Sequence, residues 1–238
     1  MRKITLLAAL FFSLTTASAQ FQKVWYTTSA SDGSIFSLGS VSMDGRSVSP
    51  CLRWSPVFNF GTNLHWNYAP NAGMFVGWNI RNIGLITEDS VGKEDYFKRR
   101  IYMIGLPVAV KFGDMSKERF FYLGGEVGYA LHYKQKYFPD GDRNRKVKTE
   151  EWFSDQTTPL TLAAFAGIHF RKNVSLKIQY FFNNFFNQDY VATDAQGQTS
   201  RPYANYSANI FFITFGYDFK VKRLWETKQA PRKDKDML

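Results

Sequence analysis

The feature that most constrains this chain is a period-two alternation of apolar and polar side chains, repeated in long runs between residues 56 and 219. From Phe121 to Tyr133, one face carries Phe121, Leu123, Gly125, Val127, Tyr129, Leu131 and Tyr133. The other carries Tyr122, Gly124, Glu126, Gly128, Ala130, His132 and, just beyond, Lys134. Successive side chains of a strand point to opposite faces, so such a run folds as one two-faced strand rather than a helix. In Arg99–Phe112, an apolar face of Tyr102, Ile104, Leu106, Val108, Val110 and Phe112 opposes Arg99, Gly105, Ala109 and Lys111. Pro56–Trp66, Met74–Arg81, Thr161–Phe170 and Val174–Asn183 alternate in the same way, and in the last of these Lys177 lies on the polar face. Asn209–Phe219 alternates less strictly, because Ile210 and Phe212 interrupt it. Most of these runs reach the ~9–11 residues that cross a bilayer as a tilted strand, whereas strands of soluble proteins average nearer ~5–6.

The connections alternate in length. Asn67–Ala72, Gly113–Lys117 and Arg171–Asn173 are short, while Thr87–Lys98, Lys136–Gln156 and Asn187–Ala204 are long and polar. Transmembrane barrels have short turns at one end and long loops at the other, and those of bacterial outer membranes have an even number of strands. Ile35–Met43, ended by the hairpin signal Asp44-Gly45, supplies the additional strand. The expected fold is therefore all-β, an eight-stranded antiparallel up-and-down transmembrane barrel.

Composition agrees. Aromatic residues make up 18% of the chain, yet mean hydropathy is −0.31. Alternation cancels in the average, so a transmembrane barrel combines many aromatics with low hydropathy. After residue 19 no stretch is long and apolar enough to be a membrane helix. Before it, Arg2 and Lys3, the apolar stretch Ile4–Leu14 and Ala17-Ser18-Ala19 form the three parts of a secretory signal peptide. The expected organisation is a signal peptide over 1–19, a lead-in over 20–32, a barrel over 33–220 and a disordered periplasmic tail over 221–238. From Lys220 onward the chain holds seven Lys or Arg and three Asp or Glu. One cysteine, Cys51, excludes an internal disulfide. The net charge of +10 in an exported chain suits anionic lipid and lipopolysaccharide rather than nucleic acid.

Alternation by itself allows either face to point outward, since a lipocalin-like barrel would hold the apolar face inside. Three features favour an apolar exterior: the small Gly and Ala residues of the polar face, its charges of both signs, and aromatics near strand ends such as Trp54, Trp66, Tyr102, Tyr122, Tyr133, Tyr180 and Tyr217. The expected interior charge network is Arg81, Arg99, Lys111, Glu126, Lys134 and Lys177, with Glu126 the acidic partner for Arg81, Lys111 or Lys177. An eight-stranded barrel is just wide enough to be filled by its own side chains, so a plugged interior is expected rather than a wide pore.

The chain resembles the outer-membrane β-barrel proteins of Bacteroidetes described as PorT-like or OMP_b-brl-type. The resemblance spans Ile35 to Phe219 and is carried by RNIGLITED (Arg81–Asp89), KRRIYMIGLPVAVKFG (Lys98–Gly113), EWFSDQTTP (Glu151–Pro159) and YFFNNFFNQDY (Tyr180–Tyr190). It implies an eight-stranded barrel in the outer membrane. ITFGYDF (Ile213–Phe219) is similar to the aromatic-terminated signal read by the barrel assembly machinery, although here 19 residues follow it. The PorT branch is linked to type IX secretion, and the resemblance does not place this chain in that branch.

Chemistry-bearing motifs are sparse. His65, His132 and His169 lie on different strands, and all three face inward by alternation. No cofactor is expected. Asp140-Gly141-Asp142 is part of a calcium loop that lacks the remaining ligands, and no metal is expected. Trp152, Phe153 and Asp155 are candidates for an outer-loop contact, with interfacial anchoring the simpler role for the two aromatics. The expected function is a non-enzymatic barrel with a structural or loop-mediated binding role in the envelope. The alternatives are a component of protein export or envelope assembly, with a partner protein, and a lipid-modifying enzyme.

Overall fold

A computed structural model describes residues 23–226, apart from 49, 57, 89–95, 143, 172 and 195. The expected signal peptide over residues 1–19 and the distal part of the basic tail lie outside the described residues. Eight principal strands follow one another: β1 (Lys23–Met43), β2 (Phe60–Asn67), β3 (Ala72–Glu88), β4 (Tyr96–Asp114), β5 (Arg119–Phe138), β6 (Leu160–Phe170), β7 (Val174–Phe181) and β8 (Tyr206–Glu226). All ladders between them are antiparallel, and each strand pairs with its neighbour in sequence. β8 in addition pairs with β1, from Met43↔Tyr206 to Lys23↔Glu226. Each of the eight thus has a ladder partner on both sides among the described residues.

Short turns at 68–71, 115–118 and 171–173 join the strands at one end, and the longer connections lie at the other. The turn after β4 is built locally. The Asp114 carboxylate accepts from the Ser116 hydroxyl (2.5 Å) and from the N–H groups of Ser116 (3.1 Å) and Lys117 (3.0 Å). These bonds, the Ser116 hydroxyl first, hold its pKa down at about 2.

Burial settles which face points outward. On β4, Leu106, Val108, Val110 and Phe112 are exposed, while Arg99, Ala109 and Lys111 are buried. The same division holds on the other strands: Leu64 and Trp66, Val76 and Trp78, Leu123 and Val127, Leu162 and Ile168, Ile178 and Tyr180, and Phe215 and Tyr217 all stand outside. The interior holds two apolar clusters. One, toward the turns, comprises Phe75, Ala109, Met115, Phe120, Tyr122 and Phe165. The larger, toward the loops, includes Ile35, Ile83, Ile101, Met103, Tyr133, Phe186 and Phe212.

Four departures from the sequence expectation have local causes. β1 begins at Lys23, within the expected lead-in, and not at Ile35. Register shifts between Val24 and Trp25, Thr28 and Ser29, and Ala30 and Ser34 break its alternation, while ladders to β2 and β8 hold the Ser/Thr-rich stretch extended. β8 runs past Phe219 to Glu226, so the first basic residues of the expected tail are strand. Before β2 the chain pairs only in short pieces, including Arg53–Ser55 against β1. There the Asn59 side chain takes over the role of the ladder, donating to the Ser55 carbonyl (2.8 Å) and accepting from the Asn82 N–H (2.9 Å). Finally, a bulge in β5 inserts Leu131: Tyr102 pairs with His132 but Met103 pairs with Ala130. Beyond the bulge the two faces exchange. Tyr133 turns inward, 1% exposed, and His132 and Lys134 move to the opposite face.

Candidate functional site

The buried polar groups form three levels along the interior. At mid-height Glu126 of β5 receives Arg81 of β3 through two bonds, Nη1 to Oε1 at 2.7 Å and Nη2 to Oε2 at 2.8 Å. Asn79 Nδ2 (3.0 Å) and Gln179 Nε2 (3.1 Å) also donate to the carboxylate, and Gln179 Oε1 accepts from Arg81 (3.1 Å). The pair is almost wholly buried, with side-chain exposures of 1% and 0%. Paired forks of this kind are the strongest way to hold a carboxylate away from water. Gly105 of β4 makes room for it, because a Cβ there would meet the Glu126 carboxylate at 2.8 Å and Asn79 Oδ1 at 2.7 Å. Lys177 lies beside this level, with its ammonium over the Phe165 and Phe212 rings at 5.5 and 5.8 Å.

At the turn end, Lys111 Nζ contacts Asn67 Oδ1 (2.8 Å) and His65 Nδ1 (3.2 Å) and lies over Trp25 at 4.3 Å and Phe120 at 4.9 Å. Thr27 Oγ1 meets His65 Nε2 at 3.1 Å. With Lys111 as an ammonium, which only donates, Nδ1 of His65 accepts and Nε2 of the neutral ring carries the hydrogen. In that tautomer the imidazole donates to the Thr27 hydroxyl. His169 stands between two acceptors, the Glu118 carbonyl at 2.8 Å and Asp218 Oδ2 at 3.2 Å. Lys23 reaches Glu118 at 3.4 Å. A small crevice lies among Trp25, Thr27, His65, Glu118, His169 and Asp218.

At the loop end, Arg99 donates to Thr87 (3.0 Å), Tyr206 (3.0 Å) and Gln135 (3.1 Å) and lies over the Phe97 ring at 4.2 Å. Arg53 donates to Asn82 Oδ1 at 2.6 Å. The loop between β7 and β8 folds back into this mouth. Phe186, 1% exposed, stacks on Tyr203 at 4.5 Å and meets Tyr206 edge-on at 4.7 Å. An isolated bridge between Thr157 and Phe186 ties that loop to the one before β6.

Of the six residues expected in the interior network, Arg81, Arg99, Lys111, Glu126 and Lys177 are buried. They are spread over the three levels, and Arg81 is the one that bonds to Glu126. Lys134 is corrected: past the Leu131 bulge it lies on the outward face and pairs with Glu150. His132 is corrected for the same reason, and stacks on Trp152 at 4.5 Å and Tyr102 at 5.7 Å. Asn79, Gln179, Lys23 and Asp218 complete the interior and were not singled out, nor was Arg53, which is buried against Asn82, the cross-strand partner of Tyr102. Asn79, Gln179 and Asp218 alternate onto the polar face and are visible there as neutral or acidic partners. Lys23 and Arg53 come from segments without alternation. Trp152 and Phe153 are exposed beside the outward face, and Asp155 is exposed in the loop that follows. Asp142 accepts from the Asn144 N–H (2.9 Å) and Arg145 Nε (3.1 Å), contacts that lower its pKa. Among the described residues no group of three His, Cys, Asp or Glu is placed to hold a metal ion.

No family model matches the chain, and no curated protein matches it. Among solved structures it is similar to Ail, the attachment invasion locus protein of Yersinia pestis, in complex with the heparin analogue sucrose octasulfate. That similarity is at 13% identity and TM-score 0.32, over 84% of this chain and 98% of the other. It is also similar to Neisserial surface protein A, at 11% identity and TM-score 0.36 over 82% and 97%. A third is the outer membrane protein OprG from Pseudomonas aeruginosa, at 10% identity and TM-score 0.36 over 85% and 97%. Correspondence at these TM-scores is loose, and the chain's own ladders and side chains support the function.

Proposed function

We propose that the protein is a closed eight-stranded barrel of the outer membrane, non-enzymatic, with a filled interior and a loop end that presents a binding surface. One observation carries this: apolar side chains stand outward on strand after strand while Arg81, Arg99, Lys111, Glu126 and Lys177 are buried inside. A soluble protein with that distribution would expose an apolar patch far beyond the few hundred Å² tolerated in water. The dimensions fit a bilayer. On β4 the outward belt runs from Tyr102 to Phe112, which is ~33 Å along the strand. At the ~35–45° tilt usual in such barrels this gives ~25 Å of height, the depth of their apolar band. Ladder partners on both sides of every strand support closure. The binding role is supported by the loop end, where the mouth is filled by Phe186 and Tyr203 and the loops are tied to one another. A surface so fixed recognises a partner at low entropic cost.

Expression with residues 1–19 in a Gram-negative host, followed by membrane fractionation, tests the reading. The expected result is protein in the outer-membrane fraction that migrates differently on gels with and without boiling. A soluble periplasmic product with a single mobility would overturn it. Reconstitution in planar bilayers should give no steady conductance steps, because the interior is occupied at all three levels.

A further inference from the structure

Beyond the bulge, β4, β5 and the segment Val147–Trp152 form a three-stranded sheet that continues past the apolar belt on its loop side. The outward face of that sheet is ordered in rows. Nearest the belt, Tyr102, His132 and Trp152 stand side by side as a stacked set of rings, with Phe58 edge-on to Tyr102 at 5.8 Å. The next row is Arg100, Lys134 and Glu150, and the one after it is Lys98, Lys136 and Lys148. Three lysines therefore sit directly opposite one another across adjacent strands. Like charges in that arrangement repel, and sheets avoid them. Glu150 is occupied by Lys134, and no ion pair among the described residues involves Lys98, Arg100, Lys136 or Lys148. Lys136 has its pKa lowered by burial and by the cations Arg100, Lys148, Lys146 and Lys134. The outward rows thus gather Lys98, Arg100, Lys134, Lys136 and Lys148 about Glu150, a costly excess of positive charge among the described residues.

We propose that this face is a binding site for the phosphate groups of an anionic glycolipid in the outer leaflet, seated on the Lys98–Lys136–Lys148 row with Arg100 beneath it. The proposal rests on the membrane reading given above. Position selects a lipid over a soluble polyanion. The cations point sideways, on the face that carries the belt, and not up from the loop tips. The lysine row is four residues above the ring row, which is ~13 Å along the strand and ~10 Å in height at the usual tilt. Aromatic rings mark the edge of the hydrocarbon, and headgroups occupy the next several Å. Lysine stems reach toward that level while keeping the ammonium polar.

The test uses the full mature chain refolded in detergent micelles, with native mass spectrometry counting bound bisphosphorylated lipid A against its dephosphorylated form. The wild type is expected to prefer the phosphorylated lipid by roughly tenfold to a hundredfold. The triple variant Lys98→Gln, Lys136→Gln, Lys148→Gln should lose that preference, and the fold should stay intact, since Lys98 and Lys148 are exposed and the half-buried Lys136 makes no ion pair among the described residues. A second variant, Lys117→Gln with Arg119→Gln and Arg171→Gln, removes the same charge from the turn end and should keep it. Equal binding of both lipids by the wild type, or an unchanged preference in the first variant, would overturn the proposal. So would displacement of the lipid by inorganic phosphate alone, which would make the row a site for a soluble anion. Boiled and unboiled samples of each protein are run in parallel. A heat-modifiable barrel without lipid preference sinks this inference alone, whereas loss of heat-modifiability in the wild type sinks the membrane reading.

Discussion

Glu126 is the residue on which the interior depends. It collects bonds from Arg81, Asn79 and Gln179 while fully buried, and Gly105 leaves it just enough space. Removing one member of a buried ion pair leaves the other charged and unpaired, at a cost of ~3–5 kcal/mol. Glu126→Ala should therefore lower stability by about that much in urea titrations of the refolded barrel. Glu126→Gln, which still accepts from Arg81, should lose less. The double variant Arg81→Met with Glu126→Leu should recover most of the loss, since an apolar pair of similar volume often matches a buried ion pair. A double variant as unstable as Glu126→Ala would show that the bonds of the charged pair, which an apolar pair of similar volume lacks, hold the interior. Alternation alone made Glu126 legible as an inward acid and Arg81 as its candidate base. The choice of Arg81 over Lys111 or Lys177 was not legible, because it depends on the heights of three strands relative to one another, and those are fixed by ladders rather than by any one segment.

The elements follow the sequence wherever apolar and polar residues alternate without interruption, as in β4, β6 and β7. They depart from it where a backbone irregularity resets the parity. The Leu131 bulge was hidden because Leu131 and Tyr133 are both apolar: the pattern reads smoothly through the inserted residue, and His132 and Lys134 are assigned to the wrong face. The opening residues of β1 were hidden for the opposite reason, since Lys23–Ser34 shows no pattern and is held extended by its neighbours on both sides. The bulge makes a testable claim about β5. Deleting Leu131 should remove the bulge and keep the faces, because Ala130 then adjoins His132 in the register each already holds, opposite Met103 and Tyr102. Tyr133 should stay inward and the stacked rings of His132 and Trp152 should stay together, so the near-ultraviolet circular dichroism of the deletion variant should match that of the wild type. A changed aromatic spectrum would mean that Leu131 is not the residue the bulge absorbs.

At the scale of the whole molecule, the decisive property is that the solvent facing the apolar belt is hydrocarbon. Val108 is central to that belt on β4 and exposed, and its side chain makes no polar contact that a substitution would break. In water, Val108→Arg would be neutral for folding and favourable for solubility. In a bilayer, an arginine on the lipid face at the midplane of a barrel costs ~2–4 kcal/mol, falling to ~0–1 kcal/mol near the interface. Arginine should therefore be costly at Val108 and far less so at Tyr102, six residues toward the loops, when stability is measured by urea titration in vesicles. The two variants expose equal charge at different heights, and the ring contacts with Phe58 and His132 that Tyr102→Arg gives up work against the expected order. A flat response would place the belt in water and leave the inward charges without a reason to be inside. A response that peaks at Val108 gives the belt a depth and fixes the ring row of Tyr102, His132 and Trp152 at the hydrocarbon edge. The lysines two rows above would then lie at the level where a bilayer presents its phosphates.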